Sequence, residues 1–509
     1  MGLGDRGARA GMGRGMALLA LLVWIGSAAG CASRSPARQE FVEIRTRNFR
    51  LTSSLSTEAS LEFARRLEFF HAGVLALLGL EDAPPPAAPT PVLLFDDRSP
   101  ARPFAVENEA AYLLDAIEAP ILVFRGARDF SARATPELRH RYAHRVLRDH
   151  AGAALPLWYE EGAAQLARTI EDLEKGVRVG RKDPQLQARV LDWRREDLLS
   201  VLETSDLSQK TRLQREDFEA EVWAIAHTLE FSPPRPGPGR GSLLSAYREA
   251  LAAPGSTTRA SVIEATGISR SELADRVFRH LESRQSAVRI LEPRGWDPRR
   301  ITVEPLSPAR SRARLGELAL AIDRPALAAD HFELALAADP ELRSARIGRA
   351  RAAALEGEIA SADEFFAALA LPADAPATLR VAAGDAARAL ATTTADAPLR
   401  ERAVAFARER YASVLAESDA APEAMIGARM GMALCHLEVA GESPAESIEW
   451  LEAVRAARPG SLRLELHLAE AEAKTGAARA AALRARNIVS RTHARALETA
   501  ARALLDPLE

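Results

Sequence analysis

Two histidines four residues apart, His140 and His144, stand at the head of the stretch LRHRYAHRVLRDHAGAALPLWYEEGAAQL, residues Leu138–Leu166. On a helix that spacing puts both imidazoles on one face, within reach of one metal ion. Glu161, inside a second helical pattern, is the candidate third ligand. Three protein ligands and a water around zinc make a hydrolytic centre if a neighbouring group can take the water's proton. In an H-E-x-x-H motif that group is the Glu after the first His. Here the position holds Arg141. A guanidinium cannot accept a proton, and it adds positive charge beside a cation. The residues therefore predict at most one zinc ion on His140, His144 and Glu161, with no catalytic residue assigned. A second arrangement stays open, in which no metal binds and Arg141 pairs with Glu160 or Glu161. Glu160 is no substitute base, because neighbouring helical positions point about 100 degrees apart.

The elements that must carry these residues are legible as patterns. Phe41–Thr46 and Phe49–Thr52 alternate like half-buried strands, with Asn48 turning the chain between them. Thr57–Leu80 is predicted helical, with Leu61, Ala64, Leu67, Phe70, Val74 and Leu77 on one face; the Pro-rich stretch Ala83–Pro91 ends it. Pro91–Phe95 and Pro120–Phe124 are apolar runs of strand length. Leu186–Ser283 reads as helical, broken by the Pro- and Gly-rich run Ser232–Gly241, and 287–308, with Trp296 and four prolines from Glu292 to Pro308, reads as a linker.

This order of elements, with the paired motifs, resembles the peptidase MA-like branch of the gluzincin zinc metallopeptidases over roughly Glu40–Ser283. That family joins its H-E-x-x-H helix to a downstream P-x-W-x-x-E-G-x-A. His140 and His144 match the first element; Pro156, Trp158, Glu161, Gly162 and Ala164 match the second. The resemblance implies that Glu161 is the third zinc ligand. It implies a cleft lined by Trp158, Glu160, Glu219, Trp223 and His227. Where the family carries an aromatic-A-Q-S-W helix, Glu219–His227 keeps Trp223 and the following His227 but not the polar and aromatic cleft residues. Together with Arg141, this implies a lineage released from catalysis. Trp158 and Trp223 also read as core anchors, and His150 as a helix-end residue.

Upstream, Arg6, Arg9 and Arg14 precede the apolar run Met16–Ile25, then small residues and Cys31, a bacterial secretory signal. Ala28-Ala29-Gly30-Cys31 resembles a lipobox, which implies acylation of Cys31. Ala32 and Ser33 are not the acidic residues that this resemblance associates with inner-membrane retention, so it implies the cell envelope, on the outer membrane facing the periplasm, with the inner membrane and the cell surface as alternatives. Among 509 residues, 67 Lys and Arg against 70 Asp and Glu leave a net charge of −3, which argues against a nucleic-acid partner. With Cys31 acylated, Cys435 is the only other cysteine, so no internal disulfide is expected.

Beyond Ala309 the texture becomes Ala- and Leu-rich helical segments separated by Gly or Pro breaks. Asp339-Pro340 and Leu371-Pro372 are 32 residues apart, Gly441 and Gly476 35 apart. This period resembles tetratricopeptide repeats. Leu315-Gly316, Ala328, Phe332 and Pro340 fall at that family's spacing, while Arg312 replaces its leading tryptophan. The expected fold is an α+β gluzincin-like metallopeptidase domain (40–286) behind a signal (1–30) and tether (31–39). A linker (287–308) then leads to an all-α tetratricopeptide-like array of five or six helix pairs (309–509). Two functions fit: a non-catalytic binding or scaffold module for envelope proteins or peptides, or an active zinc peptidase with an unusual base.

Overall fold

The computed structural model describes residues 40–508 except 85–87, 97–101, 107–108, 118–119, 127–129, 152–154, 193–197, 233–241, 254–260, 286, 293–297, 373 and 440–441. The signal, the tether with Cys31, the Pro- and Gly-rich run from 233, Trp296 and Gly441 lie outside the described residues. Glu40–Glu509 forms one compact unit.

The chain opens with the expected antiparallel pair β1 (Phe41–Arg45) and β2 (Phe49–Ser53). Helix α1 (Thr57–Leu78) starts where the Ser56 side chain accepts the Ala59 N–H, and it stops at Gly79, whose φ of 69° lies in the left-handed region. Strands β3 (Thr90–Phe95), β4 (Ala111–Leu114) and β5 (Ile121–Arg125) complete most of one sheet. Its order is β4-β5-β3-β2-β1 plus a sixth strand described below. The apolar runs in β3 and β5 are continuous because both faces of the sheet are covered. Val92, Leu94, Leu122 and Phe124 face a core with α1, whereas Leu93, Phe95 and Val123 face a second core on the other side.

One-turn helix α2 (Phe130–Arg133) leads to α3 (Pro136–Ala151), the bearer of His140 and His144, and then to α4 (Leu157–Gln165), which is buried along its whole length. Hairpin β6 (Glu171–Leu173) and β7 (Gly176–Val179) follows, then α5 (Pro184–Leu191), α6 (Arg212–Phe231), α7 (Leu243–Ala252), α8 (Val262–Thr266) and α9 (Arg270–Glu282).

The stretch expected as a linker, 287–308, is structural. Strand β8 (Arg289–Leu291) joins β7 in a three-stranded sheet. Strand β9 (Thr302–Leu306) pairs with β1 from Phe41↔Leu306 to Arg45↔Thr302, as the sixth strand of the main sheet. Pro305 has no N–H to give to a ladder, but an edge strand tolerates that loss, so proline content misreports this segment.

The array runs α10 (Pro308–Ala321), α11 (Pro325–Ala338), α12 (Arg343–Glu356), α13 (Ala362–Ala368), α14 (Ala377–Thr393), α15 (Ala397–Leu415), α16 (Pro422–Glu438), α17 (Pro444–Ala457), α18 (Leu462–Lys474), α19 (Ala478–Arg491) and α20 (Arg495–Leu505). These make five pairs and a closing helix. First helices start 35, 34, 45, 40 and 33 residues apart, so the mid-thirties period holds early and stretches later. An aromatic plug recurs. A Cβ on Gly316 or Gly348 would lie 2.7 or 2.3 Å from the Phe332 ring, and on Gly384 or Gly431 2.6 or 2.2 Å from Tyr411. Each pair of glycines lets two first helices close on one ring from the helix between them.

Candidate metal centre

Three segments converge on one point. Helix α3 brings His140 and His144, and α4 brings Glu161. The third is the turn between α19 and α20, which brings His493, a residue the sequence reading did not single out. Their ligand atoms all lie within 4.8 Å of one another. His140 Nε2 is 3.0 Å from His144 Nε2 and 2.9 Å from Glu161 Oε1. Glu161 Oε2 stands 3.1 Å from both His144 Nε2 and His493 Nε2. The three imidazole rings pack with centroids 4.6, 4.7 and 4.9 Å apart.

Why α4 sits here is visible at Gly162. A Cβ there would meet the Val222 carbonyl oxygen at 2.6 Å, so only glycine lets α6 lie against α4 behind Glu161. Gln165, one turn on, donates to Glu161 Oε1 at 2.8 Å and to Glu219 at 3.4 Å, which fixes the ligand carboxylate. His144 Nδ1 lies 3.3 Å from Glu160 Oε1 but makes no hydrogen bond.

Burial sets the charges. It holds His140 and His144 down to about 3, against the pull of Glu161, so both are neutral imidazoles of the kind a metal requires. Burial alone would raise the Glu161 carboxyl, but His140, His493 and His144 outweigh it and keep that group well below the usual range. For His493 burial works downward, yet Glu161 and Glu219 carry it above its ordinary value. Glu219 itself is raised to about 7, first by burial and then by Glu161. Three imidazoles and one carboxylate fit zinc; the four closest separations, 2.9–3.1 Å, lie within a set that spans up to 4.8 Å.

The neighbouring charges are arranged otherwise than expected. Arg141 pairs with Glu109 at 3.3 Å, not with Glu160 or Glu161, and its side chain is 27% exposed. Glu160 is buried and accepts from Arg148 Nε at 2.6 Å and from Arg491 Nη1. Arg148 in turn donates to the Arg491 carbonyl at 2.7 Å, and Arg491 to the Leu155 carbonyl at 2.8 Å. Burial draws both guanidiniums down to about 10. Trp158, Trp223 and His227 line no cleft. Trp158 packs on Tyr159 and Tyr247, and Trp223 on His227, which meets His280 Nε2 at 2.8 Å. All three are buried, because α4 and the part of α6 from Ala220 onward pack into the core. His150 ends α3, exposed, with Nδ1 2.8 Å from the Val146 carbonyl. A cavity of about 1000 Å³ opens behind α3 against His71, Tyr142, Arg145 and Asp149.

No helix among the described residues is long and apolar enough to cross a membrane. No protein family and no curated protein matches this chain. Among solved structures it is similar to a thermophilic tetratricopeptide-repeat protein of Thermus thermophilus, at 16% identity and a TM-score of 0.32, over 39% of this chain and 98% of that one.

Proposed function

We propose that the chain is an envelope lipoprotein in which a non-hydrolysing, metallopeptidase-like domain carries a tetratricopeptide-like array that binds protein or peptide partners. Cys31 anchors it to the outer membrane, and the body faces the periplasm. One observation supports the loss of catalysis above others. Of the carboxylates touching the imidazole cluster, Glu161 belongs to the ligand set and Glu160 is held by two guanidiniums, while Arg141 stands where the base belongs. General-base catalysis contributes ~10²–10⁴-fold, so its loss leaves a bound metal with Lewis acidity and little turnover. The binding surface is a groove of about 290 Å³ on the first helices of three successive pairs, lined by Arg310, Arg314, Arg351, Ser344, Thr378 and Leu379. Its lining of arginines, Glu317 and apolar side chains suits an extended peptide that carries both charged and apolar groups.

A second reading is favoured by Glu219, a carboxyl raised to about 7, first by burial, and bridged to Glu161 by the Gln165 amide that donates to both. In that reading the chain is a zinc peptidase with Glu219 as its base. One assay separates the two. Full-length protein in detergent, loaded with zinc, should cleave casein or a peptide library no faster than the chelated protein. Chelator-sensitive cleavage that His144→Ala abolishes would overturn the first reading, and loss of that cleavage in Glu219→Gln would establish the second. Anchoring is tested by detergent phase partitioning, where Cys31→Ser should leave the membrane fraction that holds the wild type.

A further inference from the structure

We infer that His493 is the fourth protein ligand of the metal at His140, His144 and Glu161, so that the ion is a closed structural clasp joining the end of the helical array to the α+β part. The inference rests on the metal triad of the proposed reading and not on its loss of catalysis.

A catalytic zinc site keeps one position for water, whereas a structural site fills all four with protein. Here the fourth donor is in place. His493 Nε2 points at the same carboxylate oxygen as His144 Nε2, both at 3.1 Å, and its ring packs against both other imidazoles. The ring is held there from both flanks. Before it, Arg491 is tied to Glu160, to the Leu155 carbonyl and, through its own carbonyl, to Arg148. Ser490 donates to Asp206 and accepts from the Leu207 N–H, each at 2.9 Å. On the other side, the Ala494 N–H donates to the Thr492 hydroxyl at 3.1 Å, closing the turn into α20. His140 Nε2 and His144 Nε2 stand 3.0 Å apart, each also beside an oxygen of Glu161, so their lone pairs converge on the point that His493 Nε2 faces. A divalent cation there would draw on all four side chains at once.

Glu161 and His493 lie 332 residues apart, so one ion would join two distant segments of the chain. Ligand energy at such a site is folding energy for whatever it holds. The held element is α19–α20, the last layer of the array.

Cobalt(II) serves as the probe, because a four-coordinate site absorbs strongly in the visible and a thiolate ligand adds a near-ultraviolet charge-transfer band. Full-length wild type should show the tetrahedral visible bands and no thiolate band, since Cys435 is buried elsewhere in the array core. His493→Ala should lower zinc and cobalt affinity at least about 100-fold, beyond the 10- to 100-fold typical of losing a supporting residue. His493→Cys keeps a donor at the position and should show the thiolate band. Hydrogen exchange supplies a readout independent of spectra: chelation should speed exchange in 478–505 and leave β3 unchanged. Equal metal affinity in wild type and His493→Ala, a cobalt-loaded His493→Cys without a thiolate band, or exchange in 478–505 indifferent to chelator would each overturn the clasp. None of these outcomes alters the casein assay, so failure here is distinguishable from failure of the non-catalytic reading.

Discussion

The array touches the α+β part at both of its ends, and the two junctions differ in balance: the first is mainly apolar, with Arg314 beside Glu43 and Arg324 on the Pro103 and Ala105 carbonyls at its rim, and the second is mainly polar. At the start, Phe41, Leu93, Phe95, Phe104, Val123 and Leu306 share one apolar core with Leu315, Leu318 and Phe332 of α10 and α11. At the finish, the contacts include Arg491 with Glu160, Ser490 with Asp206, His493 with Glu161 and Arg215 with the Val489 carbonyl. Apolar burial is non-directional and changes little with pH or ligand, whereas paired charges and imidazoles respond to both. The first junction therefore acts as a foundation and the second as a conditional fastening. Between them, Ile117 reaches the core of α16 and α17, and Gly460, ahead of α18, lies directly against Arg148 of α3.

The sharpest way to break this contrast is to remove 309–509. The sheet face formed by Phe41, Leu93, Phe95 and Val123 would then meet water, and residues 40–308 should lose cooperative unfolding and aggregate, as seen by calorimetry and light scattering. A soluble fragment with a single sharp transition would show that the sheet does not need its second cover. Next in size is Phe332→Ala, which empties the space that Gly316 and Gly348 frame and should cost about 3–5 kcal/mol of global stability in urea titrations. Arg491→Ala should cost about 3 kcal/mol, but at the other junction, so hydrogen exchange should rise in 478–505 without comparable change in α10–α12. A uniform rise along the array would erase the distinction. The smallest effect is one of pH at the apolar junction. His331, packed on Phe104, is drawn down to about 4, first by burial and then by Arg312. Its folded pKa lies below the unfolded value near 6.5, so its contribution is intact above pH 6.5 and fades as pH falls toward 4. Partial exposure limits the loss to about 2 kcal/mol. His331→Phe should flatten that part of the stability profile.

How much of this could be read in advance follows the range of the interactions. Local patterns were plain: β1, β2, α1, β3 and β5 stand within a few residues of where alternation and periodicity put them. The His140, His144 and Glu161 grouping was legible because helical spacing and a nearby second helix supply it. His493 was not, since a single histidine in a turn carries no periodicity and its partners lie more than 300 residues away. Arg141 could be placed on its helix but not paired, because Glu109 sits in an irregular segment. Strand β9 was hidden by Pro305, and the Gly384, Tyr411 and Gly431 plug by its departure from the spacing that exposed Phe332. The apolar runs at Val92–Phe95 and Leu122–Phe124 read only as strands, and their burial on both faces emerges from the two cores they separate.

A solenoid fixed at one end is free to vary in length. It can gain or lose a pair at the cost of a single local interface, and its tip moves without consequence. This array begins on the sheet and ends at Glu160 and Glu161, so its copy number is a closure condition. Inserting one pair would displace the terminal turn by roughly the ~8–10 Å between packed helices. That is several times the span of the contacts made there. The number of repeats is thus set by geometry, as the number of blades is in a closed propeller, and curvature that an open array would adjust to its ligand is here held by the molecule that carries it.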